Sequence, residues 1–356
     1  MIFQQCLGEL KVAIDSELKH YFDIAIADAK REDRLIADAL IQTKKITLAG
    51  GKRIRGALLC QAYFGVGGKE KKKILKIAAA IELVHMFLLI HDDIIDRGDS
   101  RHGEETLHKM LSKKKQKYNL KNDGEHFGIS EAIIVGELLY VLANKIIVEA
   151  GFKPEISTRA ISKLQSIITT TIIGQSQDIL IAYKNKVMEK EVMNMLKNKT
   201  AKYTFEGPLH MGAILGGCNN QKTINLLSRY AIPVGIAFQI QDDILGVFGE
   251  KKKTGKSVAS DIEEGKQTLL VSKAQEWANF GQKKQLNSIL GKKNLTNKEI
   301  RTFQNILKST GALEYSKKMA AAYLTKGKRE IKKMVFLSDA KKFFMGLAEY
   351  LEGREI

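Results

Sequence analysis

Apolar residues return at steps of three and four along most of this chain. Ile74-Ile77-Ile81-Val84, Ile133-Leu138-Val141-Leu142 and Ile161-Leu164-Ile168-Ile172 are examples. That is the period of a helix with one face turned to a core. Strict apolar–polar alternation is nearly absent, and the isoleucine-rich segments are too long for single strands. The pattern therefore predicts an all-α protein. Shifts to polar composition predict loops at 65–72, 113–128, 185–189, 249–260 and 281–296. Only three prolines occur, Pro154, Pro208 and Pro233, which suits long helices because proline breaks their interiors. No Pro/Gly/Ser-rich linker divides the 356 residues, so one domain over 1–356 is expected.

Composition narrows the function classes. Cys6, Cys60 and Cys218 show neither CxxC nor Cys/His spacing, which argues against a disulfide framework or a zinc site. The opening MIFQQCLGELK lacks the basic-then-apolar order of a secretory leader, so a cytoplasmic chain is expected. The most apolar run, Ile77–Ile90, is 14 residues long and contains Glu82 and His85, whereas a span needs about 20. No transmembrane segment is expected. The net charge of +18 fits nucleic acid, anionic membranes or phosphorylated substrates. Its lysines are scattered, without aromatic interleaving, so nucleic acid is not expected as a partner.

The chemistry sits where apolar helices end in acid. In His91-Asp92-Asp93-Ile94-Ile95-Asp96, helical spacing puts Asp92 and Asp96 one turn apart on one face. Carboxylates are unfavourable at a helix C-terminus, so this turn asks for a cation. Hard oxygen ligands at this spacing suit Mg²⁺, which completes its shell with water and substrate phosphates. The plain alternative is a solvated helix end. Gln239-Ile240-Gln241-Asp242-Asp243 closes a second apolar run in the same way. Two such ends point to carboxylate clusters around a metal-bridged diphosphate. Gly50-Gly51-Lys52-Arg53-Ile54-Arg55 reads as a helix start able to receive phosphate, with Lys52 and Arg55 projecting together and Arg53 elsewhere. It is not a P-loop, since GxxxxGK[ST] is absent. Arg101-His102, Lys199-Thr200, Lys256 and Lys266 each lie in short motifs; singly, such cations are solvated more often than functional.

Together these segments resemble the trans-isoprenyl diphosphate (polyprenyl) synthase family. The resemblance runs from GGKRIRGAL through HDDIIDRGDSRHG, GISEAIIVGELL, GQSQDIL and KTAKYTFEGPLHMGAILGG to QIQDDILGVFGEKKKTGKSVASDIEEGKQTLL. It implies a bundle of about ten core helices around a deep cavity, paired as a homodimer. It also implies three Mg²⁺ ions bridging an allylic diphosphate, held by Asp92, Asp96 and Asp242 with Asp93 and Asp243 in support. Isopentenyl diphosphate would rest on Lys52, Arg55, His85 and His102. The allylic diphosphate would be gripped by Arg101, Lys199, Lys256 and Lys266, while Thr200 and Gln239 would turn oxygen dipoles toward the developing cation. Phe87 and Leu88, on the helix before the first aspartates, would limit product length. Their pattern resembles short-chain synthases of the geranylgeranyl kind, with farnesyl or longer products as alternatives.

The chain departs from the family pattern in three places. His102 stands where a second arginine is usual. Gly246 replaces a third aspartate of the second motif, leaving Asp261 as the nearer compensating carboxylate. Glu137 stands where aspartate is common. Two other classes share parts of the pattern. A terpene cyclase would not need GGKRIR, and a non-catalytic subunit would be expected to lose aspartates that are present here.

Overall fold

The computed structural model describes residues 2–119, 121, 123–249 and 260–353. Among them the chain is built of helices: α1 (Ile2–Glu32), α2 (Arg34–Ala49), α3 (Ile54–Gly65), α4 (Lys71–Ile95), α5 (Leu107–Lys117), α6 (Gly124–Glu149), α7 (Pro154–Ala182) and α8 (Glu189–Leu196). A π-helix (Lys197–Glu206) continues α8 into α9 (Gly207–Leu215), and α10 (Gln221–Phe248) follows. After the region outside the described residues come α11 (Ser260–Glu263), α12 (Leu269–Trp277), α13 (Phe280–Ile289), α14 (Asn297–Ser309), α15 (Ala312–Ile331) and α16 (Ser338–Glu352). One continuous apolar core joins α1 to α16, with Ile14, Phe22, Leu58, Phe205, Tyr230 and Phe344 fully buried.

Two elements are long and apolar enough to cross a membrane by length and composition, α4 and α10. Their most apolar windows are 72% and 61% buried inside the protein, so both serve as core helices here. α4 packs on α6, and α10 packs on α15 and the π-helix. These two carry the aspartate motifs at their C-terminal ends.

Two segments expected as loops are largely helical. Across 113–128, α5 runs on to Lys117 because Asp38 gathers Lys114 and Lys117 at 3.0 and 2.7 Å. Asp123 then caps α6 by accepting from Glu125 N at 2.9 Å. Within 281–296, the Asn279–Gln282 capping box starts α13. In both places side-chain caps offset a polar composition. Two elements among the described residues are not helical: β1 (Ser100–Arg101) pairs antiparallel with β2 (Glu104–Glu105) in a short hairpin. Its two-residue turn, His102-Gly103, has φ of 53° and 81°, the doubly positive geometry that tight hairpins favour.

Candidate active site

The π-helix explains why one short stretch supplies several functional groups. Lys199, Thr200, Tyr203 and Thr204 all line one cavity, which a widened helical turn allows. Close neighbours hold this segment in place. A Cβ at Gly174 on α7 would overlap the Lys199 backbone nitrogen, and one at Gly235 on α10 would stand 2.6 Å from Ala201 Cα. Glycine at both positions lets three backbones meet.

The cavity has a volume of about 1110 Å³. It is walled by α3, α4, α7, the π-helix and α10, and one end is distinctly ionic. Lys199 Nζ lies 3.3 Å from Asp92 Oδ1 and 2.6 Å from Asp178 Oδ2. Lys266 Nζ lies 3.7 Å from Asp96, 3.2 Å from Asp261 and 2.7 Å from Glu264. Arg101 Nη2 reaches Asp92 at 3.9 Å. Burial pushes the Asp92 carboxyl up, but Lys199, Lys266 and Arg101 overcome it and hold it below the ordinary value. Burial and the charge of Asp92 push Asp96 up to about 6.

Asp92 and Asp242 line the cavity, and Asp96 stands one turn beyond Asp92 at the end of α4. Asp93 and Asp243, grouped with the metal ligands by the sequence, have other partners. Both oxygens of Asp93 accept from Arg101 Nε at 2.9 Å, and the carboxylate is buried away from the cavity. Asp243 is buried and accepts from Gln239 Nε2 at 2.8 Å. The helical turn is the reason: consecutive residues point about 100° apart, so each motif can present only one of its adjacent pair. Asp93 aims Arg101, and Asp243 aims Gln239, whose Oε1 accepts from Thr200 Oγ1 at 3.0 Å.

The acidic set fits a divalent cation of the Mg²⁺ kind. Asp92 and Asp96 repel one another across one turn, and Asp242 lines the same cavity from α10. Among the described residues no three acidic, histidine or cysteine side chains could hold a metal ion alone.

A second polar group lies on α3 and α4. Arg55 Nη2 donates to Thr204 Oγ1 at 2.9 Å and its guanidinium rests 4.8 Å from the Tyr203 ring. Arg55 Nε and His85 Nδ1 are buried without a hydrogen-bond partner. Burial, then Arg55, Arg101 and Arg53, pull the His85 imidazole well below its ordinary pKa, so it stays neutral. His102 also lines the cavity; burial lowers its pKa despite the Ile46 carbonyl 3.4 Å from Nδ1.

Lys52 lines the cavity as expected, though not by helical spacing. The helix starts only at Ile54, because Arg53 adopts a left-handed conformation at φ 54°. Lys52 instead lies 4.9 Å from the Tyr350 ring, with its amine 2.5 Å from the hydroxyl. Arg53 turns inward to Asp15 at 2.6 Å. Phe87 and Leu88 line the cavity, and the Phe87 ring packs on His91 at 4.8 Å and Tyr140 at 5.2 Å. Glu137 faces the same space. Lys256 lies outside the described residues. At Gly246, the room for a side chain is taken by the Asp261 carboxylate.

Three contributors were not assigned a role from the sequence. Asp178, in GQSQDIL, steadies Lys199; an acid within an apolar run was its signal. Glu82 was a similar signal, and it is 3% exposed and accepts from Gly56 N at 3.0 Å, fixing the start of α3. Tyr350 lies 298 residues beyond Lys52 and had no local signal.

Known proteins are similar to this chain in sequence and fold. The polyprenyl synthetase family model matches residues 39–307. A short chain isoprenyl diphosphate synthase of Methanocaldococcus jannaschii is 34% identical over 85% of this chain and 83% of its own. A geranylgeranyl diphosphate synthase of Methanosarcina mazei is 33% identical over 86% and 87%. Among solved structures, the geranylgeranyl pyrophosphate synthase of Corynebacterium glutamicum, complexed with isoprenyl diphosphate and magnesium, superposes with a TM-score of 0.92. That pair shares 28% identity over 98% of this chain and 99% of the other.

Proposed function

The chain belongs to the polyprenyl synthetase family and is a prenyltransferase, and from that premise we propose a Mg²⁺-dependent head-to-tail condensation. In it, isopentenyl diphosphate adds to dimethylallyl, geranyl or farnesyl diphosphate to give geranylgeranyl diphosphate. One observation carries this reading: two anion-seeking groups share a single largely apolar cavity. Arg101 and Lys199 gather around Asp92 and Lys266 pairs with Asp96, while Arg55 and His85 carry buried nitrogens without partners.

Arg101, Lys199 and Lys266, with Lys256, would grip the allylic diphosphate. Lys52, Arg55, His85 and His102 would hold isopentenyl diphosphate. Magnesium, three ions in the full complex, would neutralise the departing diphosphate on Asp92, Asp96 and Asp242. The allylic carbon–oxygen bond breaks and its electron pair leaves with diphosphate. Thr200 and Gln239 turn their oxygens toward the resulting cation, an electrostatic contribution that is large in a water-poor site. The isopentenyl double bond then attacks, forming the new carbon–carbon bond. A proton passes to the released diphosphate, so no side-chain base is required. Apolar walls at Met86, Leu88, Leu89 and Phe238 keep water from the cation. Holding the two substrates together is itself worth about 7–11 kcal/mol of barrier.

The enzyme would work in the cytoplasm as a homodimer. Ile134, Leu138, Val141 and Val148 form an exposed stripe on α6 at spacings of four, three and seven, which suits another helix. Sedimentation should give twice the chain mass, and Val141→Glu should halve it; a monomeric wild type would end that part of the reading. The activity is tested with Mg²⁺, labelled isopentenyl diphosphate and each allylic primer in turn, resolving products by length. Geranylgeranyl diphosphate is expected. Absence of elongation from every primer would overturn the proposal.

A further inference from the structure

Gly246 lies inside α10, four residues after Asp242, at a place where helix physics disfavours it. Glycine in a helix interior costs stability relative to alanine. Its backbone is not among the glycines with positive φ, so conformation does not demand it. Space does. A Cβ at 246 would overlap Asp261 Oδ2 and stand 3.0 Å from its Cγ.

Asp261, in α11, is tied to Lys266 twice. Its Oδ1 accepts from Lys266 Nζ at 3.2 Å, and its carbonyl accepts from Lys266 N at 3.1 Å. Lys266 reaches the cavity wall, whereas Gly246 and Asp261 are not among the lining residues. Among the described residues Lys266 also pairs with Glu264 at 2.7 Å and Asp96 at 3.7 Å. Asp261 therefore sets where the ammonium stands between its acidic neighbours and the cavity.

We propose that Gly246 and Asp261 are a matched pair: the glycine vacates the space that Asp261 fills, and Asp261 positions Lys266 toward the allylic diphosphate. Asp261 is thus a positioning residue, and the bare backbone at 246 leaves the space its Oδ2 occupies. This rests on the reading of Lys266 given under the proposed function. The pair makes a prediction that helix propensity alone opposes. Gly246→Ala removes a glycine from the last turn of α10 and leaves every charge in place. It should hold or raise Tm, yet push the Asp261 carboxylate aside and weaken diphosphate binding.

The test is a double-mutant cycle over Gly246→Ala, Asp261→Ala and the double variant, with Asp261→Asn as a milder second probe. Binding of inorganic diphosphate in Mg²⁺ is measured by calorimetry, the Michaelis constants for both substrates by steady-state assay, and Tm by thermal melting. Each single variant should raise the allylic Michaelis constant and the diphosphate Kd about 5–10-fold, a loss typical of one charge-assisted contact. The isopentenyl Michaelis constant should stay unchanged. The double variant should be no worse than Asp261→Ala alone, since alanine at 246 acts only through Asp261. Wild-type allylic and diphosphate constants in Gly246→Ala, or additive losses in the double variant, would overturn the pairing. If the wild type elongates nothing, the proposed function fails separately, and the diphosphate-binding cycle still reads the pair.

Discussion

At the scale of single residues, this site is organised by second partners. Asp93 holds Arg101, Asp178 holds Lys199, and Asp243 holds Gln239. The sequence made Arg101, Lys199 and Gln239 legible through motif resemblance, but it could not divide each aspartate pair between facing the cavity and supporting it. That division depends on which way the helix end turns. His102 is the residue whose chemistry most separates this chain from its pattern. A neutral imidazole replaces a permanent cation, so His102→Arg should lower the isopentenyl Michaelis constant about 3–10-fold by adding a charge-assisted contact. Its positive φ is already tolerated by Arg53 and Arg97, so the swap adds no new backbone demand. An unchanged or raised constant in steady-state assays would remove His102 from the acceptor site.

At the scale of elements, α4 carries the first aspartate motif and the proposed limit on product length. Phe87 precedes Asp92 by five residues, about 7.5 Å along the axis at 1.5 Å per residue. Packed against Tyr140 and His91, its ring lines the cavity ahead of the acidic turn. Phe87→Ala should shift the product distribution to chains longer than geranylgeranyl; an unchanged distribution would show that the limit lies elsewhere. The helical period of α4 and α10 was plain in the sequence. The π-helix was not, because a widened turn leaves no pattern of its own; its backbone meets Gly174 and Gly235 closely, contacts that lie far away in the chain. Nor was the His102-Gly103 hairpin, too short to leave a strand pattern. Polar stretches at 113–128 and 281–296 read as loops since caps and ion pairs offset their composition, with only a sparse apolar face such as Leu286 and Ile289 in α13.

At the scale of the whole molecule, distant segments close the site. Tyr350 on the last helix meets Lys52, and Gln241 beside the second aspartates donates to Leu351 O at 2.7 Å. Such contacts have no local signature and emerge only when α16 folds back on α3 and α10. Stability should also carry a signature of buried histidines. Burial, reinforced by Lys163, pulls the His210 imidazole down to about 4, against about 6.5 in the unfolded chain. Between those values the unfolded chain binds a proton that the folded chain refuses. Stability is therefore full above about pH 6.5 and falls as pH drops toward 4, by on the order of 3 kcal/mol from this group. His85 adds a loss of the same sign. Urea unfolding at pH 7 and pH 5 should show a shallower pH dependence in His210→Gln than in the wild type. Equal slopes would contradict the assignment.

The central claim is that carboxylates on α4 and α10 face one another across a diphosphate through Mg²⁺. It is tested most directly by the rate of isopentenyl incorporation as Mg²⁺ is titrated into metal-free wild type, Asp92→Asn and Asp242→Asn. The wild type should be silent without metal and active with it, and each variant should lose at least about 100-fold in rate at saturating Mg²⁺. Incorporation that persists in chelator, or that survives undiminished in both variants, would contradict the account.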